Sequence, residues 1–269
     1  MFPSFEIFGR EIGTYGVMVV IGGFFCALAG RFLAKRFGFE LFDLLILMLS
    51  ISAGIFVGAH IVYTLTNLES LILLFQNIGA LWFDRFWELF IMCIGGMVFY
   101  GGFLGGLATI PIYCRFDKRV RPRQLFDLYA VLVPLFHVFG RIGCFLGGCC
   151  YGIESEFGFT AHDNHFNPGV NDVNRLPVQL IEAGCNLLIF LLILYLFKKR
   201  IMEHRLIFVY MLIYPVVRFI LEFFRGDEIR GFVFGLSTSQ WISILLFVYA
   251  LIRLGIWRFR KDKDPVQIA

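Results

Sequence analysis

Charged residues are scarce in this chain: aspartate, glutamate, lysine and arginine together make up only 16% of its 269 residues. Soluble domains carry about 25% charged residues and roughly 45–50% apolar ones. Here 59% of the residues are hydrophobic, and 34 of them are phenylalanine. The shortage of charge excludes an ordinary soluble domain and indicates a polytopic membrane protein, for which we expect no nucleic-acid partner.

The chain also lacks the cysteine framework of a small disulfide-linked secreted domain. Its seven cysteines are an odd number, and four of them lie singly inside apolar runs, at Cys26, Cys93, Cys114 and Cys185. Single cysteines in such runs behave as small buried hydrophobic residues. The other three fall together in the glycine-rich segment 140–152, "GRIGCFLGGCCYG", which also contains one arginine.

About 20 apolar residues cross the hydrocarbon core of a bilayer as a helix. Seven runs are candidate spans: Thr14–Leu33, Phe42–Leu65, Leu89–Tyr113, Leu125–Leu146, Val178–Phe197, Leu206–Phe224 and Gln240–Trp257. The tetrapeptide at Cys26–Ala29, "CALA", faintly resembles a signal-peptidase site. No positively charged region precedes it, so we expect an uncleaved first span. The sequence predicts an all-α integral membrane protein in which 1–269 form a single polytopic domain of about seven transmembrane helices.

Basic residues collect in every second loop between these runs and in the C-terminal tail. Lysine and arginine accumulate on the cytoplasmic side of membrane proteins. We therefore expect the N-terminus outside and the C-terminus in the cytoplasm. Two outer segments are more than simple connections. Residues 67–88 are amphipathic and aromatic, as in an interfacial helix, and residues 147–177 predict a small exterior head.

Ionisable side chains within the runs are few, and most lie near the predicted outer ends: Arg141, Glu182, Arg218, Glu222 and Arg225, with Tyr15 at the outer start of the first run. Each costs at least ~2.5–3.5 kcal/mol to insert, so each is a candidate functional residue. Arg218, Glu222 and Arg225 share one helix face by their spacing. One guanidinium group can donate two parallel hydrogen bonds to the oxygens of a phosphate. The cluster predicts a site for an anionic phospholipid headgroup; the alternative is an interhelical ion pair that only stabilises the bundle.

Glycines form two pairs four residues apart, Gly101 with Gly105 and Gly102 with Gly106. Such pairs are typical of closely packed membrane helices. A second use is also open, because missing side chains leave room for a lipid and let backbone N–H groups approach a phosphate.

The cysteine cluster has several interpretations. Cys144, Cys149 and Cys150, with His137 on the preceding turns, fit small-residue packing, a disulfide, a catalytic thiol or a zinc site. Structural zinc sites usually need a second ligand pair, which the sequence does not show, so we predict no metal and no cofactor.

Six motifs, in the same order and spacing, resemble the prolipoprotein diacylglyceryl transferase family: "TYGVM", "FYGGFLGG", "GRIGCFLGGCCYG", "LPVQLIEA", "RFILEFFRGD" and "STSQWISI". The resemblance covers nearly the whole chain. It implies seven transmembrane helices in a bacterial plasma (inner) membrane, with an active site toward the outer leaflet. It also implies transfer of the diacylglyceryl group of phosphatidylglycerol to the lipobox cysteine thiol of a prolipoprotein, with release of glycerol phosphate.

The resemblance implies that Tyr15, Arg141, Gly152, Arg218 and Glu222 occupy functional positions of the family, and the residue chemistry described above adds further candidates. The expected catalytic residues are Arg141, Arg218, Glu222, Tyr15 and Tyr100. The expected substrate contacts are Arg225, His60, Gly101, Gly102, Gly143, Cys144, Cys149, Gly152, Gln179 and Glu182.

Three positions depart from the family pattern. Cys144 stands where the family has asparagine, Cys149 replaces an acidic residue, and Tyr100 replaces the histidine often proposed as the base. His60 falls where the family usually has an arginine. The groups on the acceptor side have therefore changed, whereas the phosphate-side arginines are present.

The predicted reaction places the phosphate of phosphatidylglycerol near the three arginines, with Glu222 orienting Arg218. A thiol of pKa ~8.5 is partly ionised already, so Tyr100 or a thiolate of Cys144 or Cys149 suffices as a weak base. One alternative is a paralogue that uses a non-protein acceptor. Another is a non-enzymatic anionic-lipid binder or transporter. The concentration of charge at the outer side opposes transport, because a path through the membrane would also need polar residues in the cytoplasmic half of the spans.

Overall fold

The computed structural model describes residues 3–7, 9–77, 82–165, 167–226 and 232–263. Helices dominate this part of the chain: α1 (Thr14–Ala34), α2 (Leu41–Thr66), α3 (Leu68–Gln76), α4 (Phe83–Ile94), α5 (Phe99–Phe116), α6 (Pro122–Gly147), α7 (Val178–Lys199), α8 (Leu206–Glu222) and α9 (Thr238–Lys263). Three antiparallel hairpins pair β1 (Ser4–Ile7) with β2 (Arg10–Gly13), β3 (Glu154–Thr160) with β4 (Asn174–Arg175), and β5 (Phe232–Val233) with β6 (Leu236–Ser237).

Each of the seven predicted spans overlaps helical residues. Among the residues that the structure describes, five helices are long and apolar enough to cross a membrane: α1 with the turn that follows it, α2, α6, α7 and the first part of α9. At 17 residues, α8 is about 26 Å long, somewhat shorter than the ~30 Å hydrocarbon core. The all-α membrane class is confirmed, whereas the count of seven spans and their orientation stay predictions.

The predicted span Leu89–Tyr113 is not one continuous helix. The chain breaks into α4 and α5, which are bent by 74° to each other. Glycine favours the break because it is a poor helix former, and two glycines, Gly95 and Gly96, follow α4 directly. The backbone groups released by the break find partners on α2. Val98 N–H donates to the Ala59 carbonyl at 3.3 Å, and His60 Nδ1 lies 2.9 Å from the Ile94 carbonyl oxygen.

Several helix starts follow from short sequence signals. At α2, the Glu40 N–H donates to the Asp43 carboxylate at 3.1 Å, which is half of a capping box. At α9, Ser237 Oγ accepts from the Gln240 N–H at 3.3 Å, and Gln240 Oε1 accepts from the Ser237 N–H at 2.9 Å. The "STSQ" part of the last family motif is thus a capping box. The first residue of α6 is Pro122, a position that suits proline.

The chain divides into two compact units: a smaller unit, Ala34–Leu125, and a larger unit, Met1–Leu33 with Phe126–Ala269. The expectation that residues 1–269 form a single polytopic domain stays a prediction. In the smaller unit, α5 packs closely on α2. A Cβ at Gly101 would collide with the Gly58 carbonyl, and one at Gly105 with the Gly54 carbonyl. Close helix packing therefore accounts for this glycine pair.

The larger unit contains α1 and α6–α9. The ring of Phe25 on α1 stacks on Phe139 of α6, with centroids 5.0 Å apart. Buried Asp127 of α6 accepts backbone hydrogen bonds from His204 and, at 2.9 Å, from Leu206 at the start of α8. It acts as an N-cap supplied by another helix and fixes where α8 begins.

The predicted exterior head, 147–177, contains β3, β4 and a single turn of 3₁₀ helix. Buried Asn164 organises it: the side chain donates to the Gly147 carbonyl at 3.1 Å and accepts from the Asn167 N–H at 2.9 Å. These hydrogen bonds join the head to the C-terminal end of α6. The exterior location of the head and the interfacial location of α3 within 67–88 stay predictions.

Candidate active site

The candidate site is built around Glu182, which is only 2% exposed on α7. Its Oε2 lies 3.0 Å from Nε of Arg141 on α6 and 3.3 Å from Nη1 of Arg218 on α8. Both arginines are buried. Removing ionic groups from water is costly unless they are paired. One carboxylate therefore holds two guanidinium groups from different helices together.

Two further side chains complete the surroundings of Glu182. The Tyr214 hydroxyl on α8 donates to Oε1 at 3.0 Å. The single Nε–H of Arg141 donates to His137 Nε2 at 3.2 Å. Because that nitrogen accepts a hydrogen bond from a cation, His137 is neutral here, and the geometry assigns its ring proton to Nδ1.

Glu222 lies one helical turn beyond Arg218 and extends the network of ion pairs to the end of α8. Its Oε2 is 2.7 Å from Arg218 Nη2 and 4.0 Å from Arg225 Nη1. The predicted orientation of Arg218 by Glu222 agrees with this contact. The same nitrogen, Nη2, also donates to Ser239 Oγ at 3.4 Å, in the first turn of α9.

The cluster has an excess of positive charge. Three guanidinium groups, of Arg141, Arg218 and Arg225, face the carboxylates of Glu182 and Glu222. With His137 neutral, the net charge is +1. A cluster that only locked the bundle would be most stable if it were neutral, whereas a net positive charge in a buried site suits one anionic ligand group.

Gly152 positions Arg225 through the backbone. The two residues form an antiparallel bridge, flanked by hydrogen bonds of 3.0 Å from the Ile153 N–H to the Phe224 carbonyl and from the Gly226 N–H to the Tyr151 carbonyl. A Cβ at Gly152 would collide with the Leu176 carbonyl. The position needs glycine because backbone strands approach it closely.

The three cysteines of the glycine-rich segment lie together. Cys144, Cys149 and Cys150 bring their sulfur atoms within 4.8 Å of one another. Cys144 is buried in the last turn of α6, whereas Cys149 is exposed. Hydrogen bonds from Cys144 and Cys149, with the nearby charge of Arg225, hold the pKa of Cys150 well below its usual range. The side chain of Gln179 on α7 donates to the Cys149 carbonyl at 2.9 Å.

Tyr15, in the first turn of α1, is exposed and borders this group. It lies within electrostatic range of Arg141 and of the three cysteines. A Cβ at Gly143 would lie 3.1 Å from Tyr15 Cδ2, closer than an ordinary contact. The glycine therefore lets the tyrosine ring lie against α6.

Four predicted site residues belong to the smaller unit. His60 contacts the break between α4 and α5, as described above. Its ring packs edge to face on the ring of Phe56, with centroids 4.3 Å apart. Tyr100 is buried in the first turn of α5. A Cβ at Gly102 would lie 3.1 Å from Ile55 Cγ2 of α2. The expected contacts of His60, Tyr100, Gly101 and Gly102 with substrate stay predictions.

Sequence reasoning missed Tyr214 as a member of the site. The signal was present, because Tyr214, Arg218 and Glu222 follow one another at intervals of four residues on α8 and share a face. A tyrosine within an apolar run looks like core packing. Its hydroxyl matters here only because Glu182, 32 positions away, folds against it.

Comparison with known proteins agrees with the motifs. The family model described as prolipoprotein diacylglyceryl transferase matches residues 3–256. The chain is 31% identical to the phosphatidylglycerol–prolipoprotein diacylglyceryl transferase of Clostridium tetani, over 96% of this chain and 98% of that protein. It is 30% identical to the enzyme of the same name from Campylobacter jejuni, over 96% and 94%. The protein named phosphatidylglycerol–prolipoprotein diacylglyceryl transferase 2 of Clostridium perfringens is 30% identical, over 96% of both chains.

Proposed function

Because this chain belongs to the prolipoprotein diacylglyceryl transferase family, we propose that it transfers the diacylglyceryl group of phosphatidylglycerol to prolipoproteins during lipoprotein maturation. The acceptor in this proposal is the thiol of the lipobox cysteine in the prolipoprotein signal peptide. The protein is a multi-pass membrane enzyme. We place it in the bacterial inner membrane with its site toward the outer leaflet, as the distribution of basic loops supports.

The buried cluster of Arg141, Arg218 and Arg225 is the observation that carries this proposal. A phosphodiester has one negative charge, which complements the net +1 of the cluster. When the bond between glyceryl carbon and phosphate oxygen breaks, the leaving phosphate gains a second negative charge. Guanidinium groups already held in place by Glu182 and Glu222 stabilise that developing charge without reorganising, and such preorganised stabilisation is usually the largest single contribution to catalysis.

The reaction is a displacement at carbon. The acceptor sulfur attacks the glyceryl carbon, a C–S bond forms, and the C–O bond breaks with its electron pair leaving on glycerol phosphate. Exposed Tyr15 lies against Gly143 and within electrostatic range of Arg141 and the three cysteines, and it fits a role in positioning the headgroup. Roles for His60 and Tyr100 are part of the same proposal through the family resemblance.

The test uses vesicles that contain phosphatidylglycerol with an isotopically labelled headgroup glycerol, together with a lipobox peptide. We expect release of labelled glycerol phosphate only when the peptide carries its cysteine. Arg218→Lys keeps the charge but loses the paired N–H donors, and we expect a fall in turnover on the order of 100-fold. The matched control is Arg253→Lys, an exposed arginine of α9, which should retain full activity.

Two results would contradict the proposal. Release that does not depend on the peptide thiol would favour a non-protein acceptor. Lipid binding with no turnover in the presence of either acceptor would favour a binder or transporter.

A further inference from the structure

The cysteine cluster at the end of α6 has the composition and shape of a metal site. Among the described residues, the group with ligand atoms close enough to share one ion consists of Cys144, Cys149 and Cys150. Thiolates select soft ions such as zinc and Cu(I). With Zn–S bonds of about 2.3 Å, tetrahedral geometry places sulfurs ~3.8 Å apart, so sulfurs within 4.8 Å need to move by about 1 Å at most.

The backbone brings these sulfurs together. Gly148 has a φ of +73° and Cys150 a φ of +57°, so the chain turns sharply directly after α6. A non-glycine residue in that conformation costs on the order of 1 kcal/mol, which the surrounding contacts must offset. The turn is held by the Cys149 N–H donating to the Cys144 carbonyl at 3.1 Å and by Gln179. The exposed Cys149 gives the cluster an opening to its surroundings.

We propose that Cys144, Cys149 and Cys150 bind one zinc ion, and that its fourth position takes the thiol of the prolipoprotein cysteine. Catalytic zinc sites have three protein ligands and an open fourth position. Three thiolates and Zn²⁺ together have a net charge of −1, and the guanidinium groups of Arg225 and Arg141 lie within electrostatic range of Cys150. Cu(I) in a three-coordinate thiolate site would have no position left for a substrate. This inference rests on the proposed function.

The proposed zinc site supplies a way to deprotonate the acceptor thiol, which the arginine cluster does not. Glu182 and Glu222 are the carboxylates of that cluster, and both are engaged by guanidinium groups. A carboxylate held in this way is a weak base toward a thiol. Coordination to zinc deprotonates a thiol outright, so the nucleophile forms without a side-chain base.

The step balances without any redox change. The acceptor thiol replaces a water on zinc, and its proton passes to solvent. The zinc-bound sulfur then attacks the glyceryl carbon, forming the C–S bond as the C–O electron pair leaves with glycerol phosphate. The product thioether is a weaker ligand than a thiolate, so water displaces it and zinc remains Zn²⁺ throughout.

The first test measures metal content. Purified full-length protein should contain one zinc per chain, and Cys149→Ser and Cys150→Ser should each lower this to a small fraction. The matched control, Cys185→Ser, lies on α7 outside the cluster and should keep one zinc. Cobalt-loaded protein should show sulfur-to-metal charge-transfer absorption, which should change when a lipobox peptide is added and stay the same when the peptide cysteine is serine.

The second test separates this inference from the proposed function. Wild-type protein stripped of metal should lose at least 10-fold in peptide-dependent release of glycerol phosphate and recover with one equivalent of zinc. Full activity in metal-free protein would overturn the zinc inference while leaving the transferase function intact. Stoichiometric copper instead of zinc, a disulfide within the cluster, or a cobalt spectrum indifferent to the peptide thiol would also overturn it. Absence of transfer by zinc-loaded wild type would count against the proposed function itself.

Discussion

Replacing Glu182 with glutamine removes the one carboxylate that two buried arginines share. At separations of 3.0 and 3.3 Å, each ion pair is worth about 5–6 kcal/mol of Coulomb attraction at an effective dielectric constant of ~20. Desolvation offsets most of this attraction in the native protein. Loss of one partner still leaves uncompensated buried charge, which costs about 3–5 kcal/mol. The net charge of the cluster rises from +1 to +2, so we expect a loss of unfolding free energy of that size.

The assay is reversible unfolding by denaturing detergent in mixed micelles, followed by tryptophan fluorescence. The matched control is Glu154→Gln, whose side chain is 74% exposed and lies 3.9 Å from Arg175; an exposed pair of this kind is worth less than about 1 kcal/mol. Adding Arg141→Gln to Glu182→Gln should recover part of the stability, because it removes an unpaired charge. Equal losses for Glu182→Gln and the control would refute the view that this carboxylate holds the arginines.

Three further predictions concern other parts of the chain. Asp127→Ala should destabilise the protein by about 1–3 kcal/mol, measured by the same unfolding assay, because buried backbone N–H donors at the start of α8 lose their acceptor. Gly101→Leu should prevent α5 from approaching α2 and abolish the folded protein in a detergent-stability assay. The side chain of Arg119 hydrogen-bonds to Asp117 and holds the pKa of that carboxyl below its usual range. This contribution is present above about pH 4 and is lost as the pH falls further, so Asp117→Asn should reduce the acid sensitivity of unfolding.

Matched controls exist for the first two of these changes. Glu156→Ala removes an exposed carboxylate and should change stability by less than about 0.5 kcal/mol. A Cβ at Gly184 on α7 meets no neighbouring atom, so Gly184→Ala should be tolerated. A loss at Asp127 no larger than that of Glu156→Ala would show that α8 does not depend on its cap. Retention of full stability by Gly101→Leu would show that α2 and α5 separate without cost.

Hydrophobic run length predicted the positions of the helices well, because a helix is the way for a single span to satisfy its own backbone in lipid. It did not predict the break after Ile94. That break depends on partners from α2, including the Ala59 carbonyl and His60, which local sequence does not reveal. Length and hydropathy describe one helix at a time, whereas a break is stabilised by its neighbours.

In the candidate site too, the sequence predicted contacts within one helix but not contacts between helices. The helical spacing on α8 predicted the pairing of Arg218 with Glu222, which the structure has at 2.7 Å. No spacing rule connects Arg141 with Glu182, 41 positions later in the chain, or predicts that Tyr214 joins them. Those contacts arise only when α6, α7 and α8 pack together.

The bridge between Gly152 and Arg225 has a mechanical consequence. The head begins at the end of α6, and its backbone is hydrogen-bonded to the segment that follows α8. A force on the head is therefore transmitted to Arg225, three residues beyond the end of α8. An antibody that pulls on β3, or an epitope inserted there, should therefore lower the turnover of the enzyme, although it contacts no side chain that binds the lipid.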